Sequence, residues 1–189
     1  MRRWWMTAVL AGFAAALTAM PARAADVWDA AREAGTHLLM RHAIAPGTGD
    51  PANFALGDCS TQRNLSDGGR AQAKRIGAML KEKGVAIDVV LTSQWCRARD
   101  TAARLAITPV RDEPSLNSFF AGRGDRSAQT AALKQRIAAL NAAGTKAALV
   151  SHQVNITALT GVYPASGEIV VIRLGADGEV SVAGRIKTE

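Results

Sequence analysis

Two histidines and two arginines follow short apolar segments of the chain, and these side chains are suited to phosphoryl transfer. Arg41 and His42 follow one apolar segment, Ser93 and then Arg97 follow a second, and His152 follows a third. An arginine guanidinium offers planar, paired donors to an oxyanion, and a neutral imidazole is a nucleophile at physiological pH. Because ligands bind beyond the carboxyl ends of strands in open α/β sheets, these side chains converge if the three strands are neighbours.

The elements that must position them alternate between strand and helix. Apolar runs predict buried strands at residues 37–40, 89–91 and 147–150, and two more strands at 167–173 and 180–186. Helical spacing and capping residues predict helices at 25–34, from Ser66 towards Gly84, at 96–105, and from 125–127 towards Gly144. This alternation predicts a three-layer α/β/α sandwich around a mostly parallel sheet. The insert at 109–126 is long enough for only a minimal cap.

Four segments, in chain order, resemble the sequence elements of the histidine phosphatase superfamily, which contains phosphoglycerate mutases, acid phosphatases and phosphohistidine phosphatases. LLMRHAIAPG at 38–47 resembles its Arg-His-Gly signature, and LSDGGRAQA at 65–73 resembles its Leu-Thr/Ser-x-x-Gly-x-x-Gln-Ala element. SQWCRARDTA at 93–102 resembles its Ser-x-x-x-Arg-Ala-x-x-Thr-Ala element, and residues 150–152 resemble the strand that delivers a second catalytic histidine. The shared order and spacing make this pattern far more specific than an Arg-His pair alone.

The resemblance implies a phosphoglycerate mutase-like fold and a covalent mechanism. His42 would attack phosphorus and become phosphohistidine, and water would then hydrolyse this intermediate. Arg41, Arg97 and His152 would hold the phosphoryl oxygens. Ala43 stands where the family has glycine, and its methyl group is tolerated unless the backbone there needs a positive φ. Further candidate phosphate ligands are Arg63, Ser93, Gln153 and Asn155.

The proton donor is the part of the family pattern that this sequence lacks. Gln153 stands where acid phosphatases have an aspartate, and the Leu116-Asn117 pair stands where mutases have a glutamate nearby. An alkoxide leaving group needs a proton, a contribution of about 10²–10⁴-fold in rate, whereas imidazole or phosphate leaving groups need much less help. The nearest candidate general acids are Glu113, Asp112 and Asp58, each of which is also explained as a solvated loop charge.

The first 24 residues have the pattern of a cleaved signal peptide. Arg2 and Arg3 precede an apolar run, and Ala22-Arg23-Ala24 fits the small-x-small cleavage rule. A retained anchor helix is the alternative, but the apolar run at 4–20 falls short of the roughly 20 residues that span a bilayer. Residues 25–189 would then form one phosphatase domain, located in the periplasm or secreted, without a membrane anchor.

Charge favours a small anionic substrate over nucleic acid. Of the 189 residues, 48% are hydrophobic and 21% are charged, which excludes disordered and low-complexity classes. The first 24 residues hold three arginines and no acid, so residues 25–189 retain 20 basic and 16 acidic side chains, a net charge of +4. No run of basic residues interleaved with aromatics occurs, so no nucleic-acid partner is expected. We expect a monomer or a weak dimer.

Cysteine and histidine usage bears on redox state and on metals. Cys59 and Cys96 are an even pair in a chain predicted to reach an oxidising compartment, so they can form a disulfide or remain two buried thiols. Cys96 starts the helix that carries Arg97, and Cys59 lies in the loop expected to cover the same pocket. With two cysteines, and three histidines at neither HxH nor HExxH spacing, no metal or other cofactor is predicted.

Together these features predict an exported phosphatase that hydrolyses a phosphomonoester or another phosphoryl group, with a phosphosugar of the cell envelope as a candidate substrate. Among the family's branches the chain most resembles small periplasmic members with a minimal cap, such as the lipopolysaccharide core heptose phosphate phosphatase. The alternative is a non-catalytic envelope protein that binds a phosphorylated ligand. A binding protein needs no nucleophile, so the presence of His42 favours catalysis.

Overall fold

Strands and helices alternate along the chain in the computed structural model, which describes residues 26–188. The predicted signal peptide at residues 1–24 lies outside the described residues. None of the helices within 26–188 has both the length and the apolar character needed to cross a membrane. The strands are β1 (Thr36–Arg41), β2 (Val89–Thr92), β3 (Val110–Asp112), β4 (Ala147–Ser151), β5 (Ile169–Leu174) and β6 (Val180–Ile186), and the helices are α1 (Val27–Arg32), α2 (Asp67–Glu82), α3 (Cys96–Leu105), α4 (Arg126–Ala142) and α5 (Gln153–Thr160).

The strands form one mixed sheet in the order β3-β2-β4-β1-β5-β6. The first four strands of that order run parallel to one another, while β5 is antiparallel to β1 and β6 is antiparallel to β5. The prediction of a mostly parallel sheet is confirmed. In particular, the three strands that precede the candidate site residues are direct neighbours, with β4 between β2 and β1.

Helices cover both faces of the sheet because strand side chains alternate between two apolar cores. In β1, Leu38 and Met40 pack into the core formed with α1, α2 and α3. Leu39 packs into the opposite core, where it meets residues of α4 and α5. This arrangement confirms the predicted three-layer sandwich.

Two elements were not predicted from the sequence. The strand β3 has three exposed residues at the start of the insert between α3 and α4, and that insert continues in short helical turns. The helix α5 begins directly after His152, which occupies its N-cap position. The second element matters for the site, because it fixes how the backbone leaves β4.

Candidate active site

The carboxyl ends of β1, β4 and β2 meet at one edge of the sheet and line a pocket. The residues that follow the three strands are brought together by the parallel pairing of β4 with both neighbours. The ring centroids of His42 and His152 lie 5.4 Å apart. The cavity has a volume of about 160 Å³ and is lined by Arg41, His42, Gly47, Thr48, Gly49, Arg63, Arg97, Ser118, Phe120, His152, Gln153, Val154 and Tyr163.

His42 is held as a neutral imidazole with one free nitrogen lone pair. Its Nδ1 lies 2.8 Å from the carbonyl oxygen of Ala43, and since a carbonyl only accepts, Nδ1 carries the proton. The lone pair is therefore on Nε2. Burial, together with the positive charges of Arg97, Arg63 and Arg41, lowers the pKa of His42 to about 3, and the hydrogen bond to Ala43 opposes this shift only in part. A neutral imidazole with an unprotonated Nε2 is the form in which histidine acts as a nucleophile.

His152 is buried beside His42 and is oriented by Ser93. The Oγ of Ser93 lies 2.8 Å from Nε2 of His152 and 3.3 Å from Oδ1 of Asn117. The single hydroxyl proton can serve only one of these two contacts, and its donation to His152 corresponds to an imidazole proton on Nδ1. In that tautomer Nδ1, which is buried and has no protein partner, is a donor available to an anion in the pocket. Burial, and then the charges of His42 and Arg97, lower the pKa of His152 well below its ordinary value.

Three guanidinium groups make the pocket an anion site. Arg41 donates from Nη1 to the carbonyl of Pro164 at 2.9 Å and leaves a buried Nε without a partner. Arg63 donates from Nε to the carbonyl of Gly49 at 2.8 Å. Burial, with the nearby charge of Arg97, lowers the pKa of Arg63 to about 10, so this side chain is still charged at neutral pH. Cations gathered at the mouth of a cleft attract phosphorylated ligands.

The segments that resemble family elements hold the backbone that follows His42. Thr101 accepts a hydrogen bond from the amide of Ala43 at 3.0 Å, and its own hydroxyl donates to the carbonyl of Arg97 at 2.7 Å. Gln72 accepts from the amide of Ile44 at 3.1 Å. The helix α2 therefore approaches so closely that a Cβ at Gly69 would lie 2.0 Å from the Ile44 carbonyl oxygen. These residues position the nucleophile without touching the pocket.

The alanine that replaces the family's glycine fits this backbone. Ala43 is fully buried and packs with Ala45, Leu65 and Ala73 in a small apolar cluster. Among residues 26–188, the non-glycine residues with a positive φ are Ala106 and Ala121, so the backbone at Ala43 does not need glycine. The substitution leaves the geometry of His42 intact.

A disulfide joins the loop after β1 to the start of α3. Cys59 and Cys96 are paired, with their Cα atoms 5.6 Å apart and a separation of 37 positions in sequence. Gln62, in the same loop, accepts a hydrogen bond from the amide of Cys96 at 2.9 Å. The open alternative of two free thiols is thereby resolved in favour of the bridge. The loop that carries Arg63 and the helix that carries Arg97 are covalently tied.

The acids considered as proton donors lie away from the pocket. Asp112 is paired on the surface with Arg99, and Glu113 accepts from Ser115 and pairs with Arg136. Asp58 is exposed and caps a short helical turn. All three carboxylates are engaged elsewhere, so the expectation that Glu113 or Asp112 serves as general acid does not fit this geometry. None of the described residues that line the pocket is an aspartate or glutamate.

Two of the four additional candidate phosphate ligands reach the pocket. Arg63 lines it, and so does Gln153, the first residue of α5. Ser93 instead lies behind His152, as described above. Asn155 donates to the carbonyl of Asn117 at 2.7 Å, which turns its side chain towards the insert rather than the pocket. Ser93 and Asn155 thus support the site from behind instead of lining it.

Asp50 is a buried residue of the site that sequence reasoning missed. Its Oδ1 accepts from Nη1 of Arg97 at 2.6 Å, and the side chains of Asp50 and Arg97 are 5% and 4% exposed. Burial raises the pKa of Asp50, but the hydrogen bonds and charge of Arg97, with the hydrogen bonds from Arg63 and Trp95, together hold this pKa below its ordinary value. The signal available in the sequence was slight: Asp50 is the one acid among residues 43–57.

The side chains brought together do not form a metal centre. Within residues 26–188, no three histidine, cysteine, aspartate or glutamate side chains come close enough together to hold an ion. His37, the third histidine, lies at the opposite end of β1. It accepts from the amide of Ala147 at 3.2 Å and contacts Oδ1 of Asn141 at 3.0 Å, so it joins β1 to α4 and β4.

Comparison with known proteins agrees with this architecture. The sequence model of the histidine phosphatase superfamily (branch 1) matches residues 37–141. The structure of the protein histidine phosphatase SixA complexed with tungstate is 21% identical, with a TM-score of 0.59 over 80% of this chain and 96% of that one. A mycobacterial glucosyl-3-phosphoglycerate phosphatase is 16% identical, with a TM-score of 0.58 over 80% and 98% of the two chains. A phosphoserine phosphatase from Entamoeba histolytica is 15% identical, with a TM-score of 0.58 over 82% and 98%.

No curated protein matches the chain. At such identities the structural likeness speaks for the fold alone. The match to the family model is stronger evidence, because it spans more than half of the chain and includes both His42 and Arg97.

Proposed function

The chain belongs to the histidine phosphatase superfamily and is a phosphatase, and from that premise we propose that it hydrolyses a phosphoryl group through a phosphohistidine on His42. The observation that carries this proposal is the state of His42: a neutral imidazole, with Nε2 unprotonated, in a cavity lined by three arginines. A binding pocket alone has no need of such a nucleophile.

The proposed reaction has two steps at one phosphorus atom. In the first, Nε2 of His42 forms a bond to phosphorus as the bond to the leaving group breaks. In the second, water attacks phosphorus, and the bond to Nε2 breaks with release of inorganic phosphate. Arg41, Arg97 and Nδ1 of His152 donate to the phosphoryl oxygens while charge moves between the entering and departing groups.

The substrate class follows from the absence of a carboxylate among the described pocket residues. Without a general acid, an alkoxide leaves slowly, whereas an imidazole or a phosphate leaves with little assistance. We therefore expect phosphohistidine-like phosphoramidates or phosphoanhydrides to react faster than sugar phosphates. The solved structure of a protein histidine phosphatase, SixA, has the same fold and makes the phosphoramidate class the first to test.

The leaving group would lie between two exposed aromatic rings at the mouth of the pocket. Phe120 is 45% exposed and Tyr163 is 69% exposed, and both line the cavity that holds His42. They come from two different loops, the insert before α4 and the segment after α5. Planar rings stack on aromatic side chains, so an imidazole or a sugar ring fits this entrance.

Export and the narrower resemblance to a heptose phosphate phosphatase remain predictions. We propose a periplasmic or secreted location, because residues 1–24 have the signal-peptide pattern and the paired Cys59 and Cys96 suit an oxidising compartment. A phosphosugar of the cell envelope stays a candidate substrate, although the missing general acid places it behind phosphoramidates.

The test is a substrate panel with matched histidine variants. Phosphoramidate, phosphohistidine, pyrophosphate, p-nitrophenyl phosphate and sugar phosphates are assayed with the wild type, His42→Ala and His37→Gln. We expect His42→Ala to lose several decades in kcat, and labelled substrate to leave an acid-labile, base-stable label on His42. His37→Gln removes the buried histidine of β1, the strand that His42 follows, so it controls for lost stability and should keep its activity.

Two results would contradict the proposal. Label on serine or aspartate would replace the mechanism with another covalent one. Phosphate binding without turnover of any substrate would instead establish the alternative, a protein that binds a phosphorylated ligand and does not hydrolyse it.

A further inference from the structure

We propose that Asp50 is a positioning residue: it holds one edge of the Arg97 guanidinium and thereby presents the other edge to the phosphoryl group. This inference rests on the proposed function, since it concerns how the same pocket binds the transferred group. It assigns a role to a residue of the loop after β1 that neither the sequence pattern nor the family elements single out.

The contact between the two side chains is a two-point one. Nη1 of Arg97 donates to Oδ1 of Asp50 at 2.6 Å, and Nη2 donates to Oδ2 at 3.3 Å. Both oxygens of the carboxylate therefore meet the end-on edge of the guanidinium, the edge formed by its two terminal nitrogens. This edge is consequently not available to a substrate.

The donors that remain on Arg97 form a second edge. A guanidinium has five N–H groups. Asp50 takes two of them, and Nη1 gives another to the carbonyl of Arg63 at 3.4 Å. The Nε proton and the second Nη2 proton are left, and they lie side by side. Nε is buried and has no protein partner, while Arg97 lines the pocket, so this edge is suited to a bidentate contact with phosphate.

Asp50 is itself fixed by contacts on two further sides. Its Oδ2 accepts from Nε1 of Trp95 at 3.1 Å, and its Oδ1 accepts from the amide of Arg63 at 3.1 Å. Trp95 is in turn packed against His152, with ring centroids 5.5 Å apart. The carboxylate is therefore a rigid support, and the orientation that it imposes on Arg97 is a fixed one.

The charges in the pocket fit the same role. Three guanidiniums face the cavity, and Asp50 neutralises one of them from behind, which leaves about two positive charges for a phosphoryl dianion. A buried ion pair seldom adds stability over an apolar pair, because both charges lose their hydration. The pair at Asp50 and Arg97 is better explained by the geometry that it gives the binding edge than by the stability of the fold.

The experiment is a double-mutant cycle on kcat. Asp50→Asn should lower kcat by about 10- to 100-fold in the wild-type background, since a misaligned donor loses charge stabilisation that arises in the transition state. In the Arg97→Ala background, the same change should alter kcat by less than about 2-fold, because the group on which Asp50 acts is gone. Asp100→Asn removes an aspartate paired with Arg104 on the outer face of α3 and should leave kcat unchanged.

A second readout does not depend on turnover. In ¹H–¹⁵N spectra of the wild type, the Nε–H signal that disappears in Arg97→Ala should shift when inorganic phosphate is added. In Asp50→Asn this signal should broaden or move before any phosphate is present. Equal losses of kcat for Asp50→Asn in both backgrounds, or an Nε–H signal that phosphate leaves unmoved, would overturn the positioning role. A wild type that hydrolyses nothing yet shows the phosphate-induced shift would overturn the proposed function and leave the role of Asp50 standing.

Discussion

The two site histidines are neutral because they are buried among cations. His42 and His152 are 2% and 3% exposed, and the charges that lower their pKa values include those of arginines. A protonated imidazole there would lose its hydration and face guanidiniums, with no carboxylate among the described residues that line the pocket to compensate. The site thus keeps its nucleophile in the reactive form, and the folded state is destabilised at low pH as a result.

The free energy of unfolding should fall as the pH is lowered, and His42 should contribute to the fall. The folded pKa of His42 is about 3 and its ordinary value is 6.5, so between these values the unfolded chain binds a proton that the folded chain does not. Stability supplied by the neutral form is therefore present above pH 6.5 and is lost on acidification. For one such histidine the loss between pH 7 and pH 5 is about 2 kcal/mol.

Urea denaturation of the wild type and His42→Ala at both pH values measures this contribution. Between pH 7 and pH 5, the free energy of unfolding of His42→Ala should fall by about 2 kcal/mol less than that of the wild type. An identical pH dependence in the two proteins would mean that His42 is protonated in the folded state.

Ser93 should set the tautomer of His152. Ser93→Ala removes the hydroxyl that lies 2.8 Å from Nε2, so the proton should no longer be confined to Nδ1, the buried nitrogen without a protein partner. We expect kcat to fall about 10-fold, since the His152 tautomer that donates from Nδ1 to the phosphoryl oxygens is then only partly populated. Ser93→Thr keeps a hydroxyl at the same position and should retain more of the activity.

Imidazole ¹H–¹⁵N spectra report the tautomer of His152 directly. The proton should be on Nδ1 in the wild type and be distributed over both nitrogens in Ser93→Ala. A wild-type signal with the proton on Nε2 would reverse the direction of the hydrogen bond to Ser93 and remove Nδ1 as a donor.

At the scale of elements, the sequence predicts those parts of the fold whose pattern is local. Strong apolar runs mark β1, β2 and β4, and the predicted helix at 96–105 coincides with α3. Ser66 and Asp125 cap α2 and α4 as expected from their side chains. With the three strands adjacent, the convergence of His42, Arg97 and His152 follows from the strand ends alone.

The features that were missed depend on contacts between distant segments. The strand β3 has three exposed residues, too few to show a period. The helix α5 contains Val154, Ile156 and two threonines, which are weak helix formers, and it is stabilised by packing of Ile156 and Leu159 into the core. Asp50 acquires its role only when its loop folds onto Arg97, which lies 47 positions further along the chain. No local pattern encodes that approach.

Loss of the disulfide should weaken both the fold and the pocket. The bridge joins residues 37 positions apart in sequence, which in the chain-entropy model corresponds to about 4 kcal/mol of stability. It also ties the loop that carries Asp50 and Arg63 to the helix that carries Arg97. The double variant Cys59→Ser/Cys96→Ser should therefore melt at a lower temperature and bind inorganic phosphate several-fold more weakly.

Reduction of the wild type should reproduce both effects, whereas reductant should not change the double variant. A double variant with the melting temperature and phosphate affinity of the wild type would show that the loop is held by its hydrogen bonds, such as that from Cys96 to Gln62, and not by the bridge.

At the scale of the whole molecule, the proposed location and the disulfide depend on each other. Beyond residue 24 the net charge is only +4, and the three pocket arginines concentrate positive charge at the site rather than spread it over a surface. The pairing of Cys59 with Cys96 persists only where thiols are oxidised. A pocket held together by a disulfide would be compromised in a reducing cytoplasm, so we expect activity to depend on the proposed location outside it.

Export should remove residues 1–24 and form the disulfide in the same molecules. When the full chain is expressed in a bacterium with a periplasm, mass spectrometry should find a mature N-terminus at Ala25, because the cleavage site follows Ala22-Arg23-Ala24. The exported protein, unfolded without reductant, should contain no reactive thiol, whereas a chain that starts at Ala25 and stays in the cytoplasm should contain two per molecule. An exported chain that keeps residues 1–24 would establish the membrane anchor instead, and two free thiols in exported protein would separate the disulfide from the compartment.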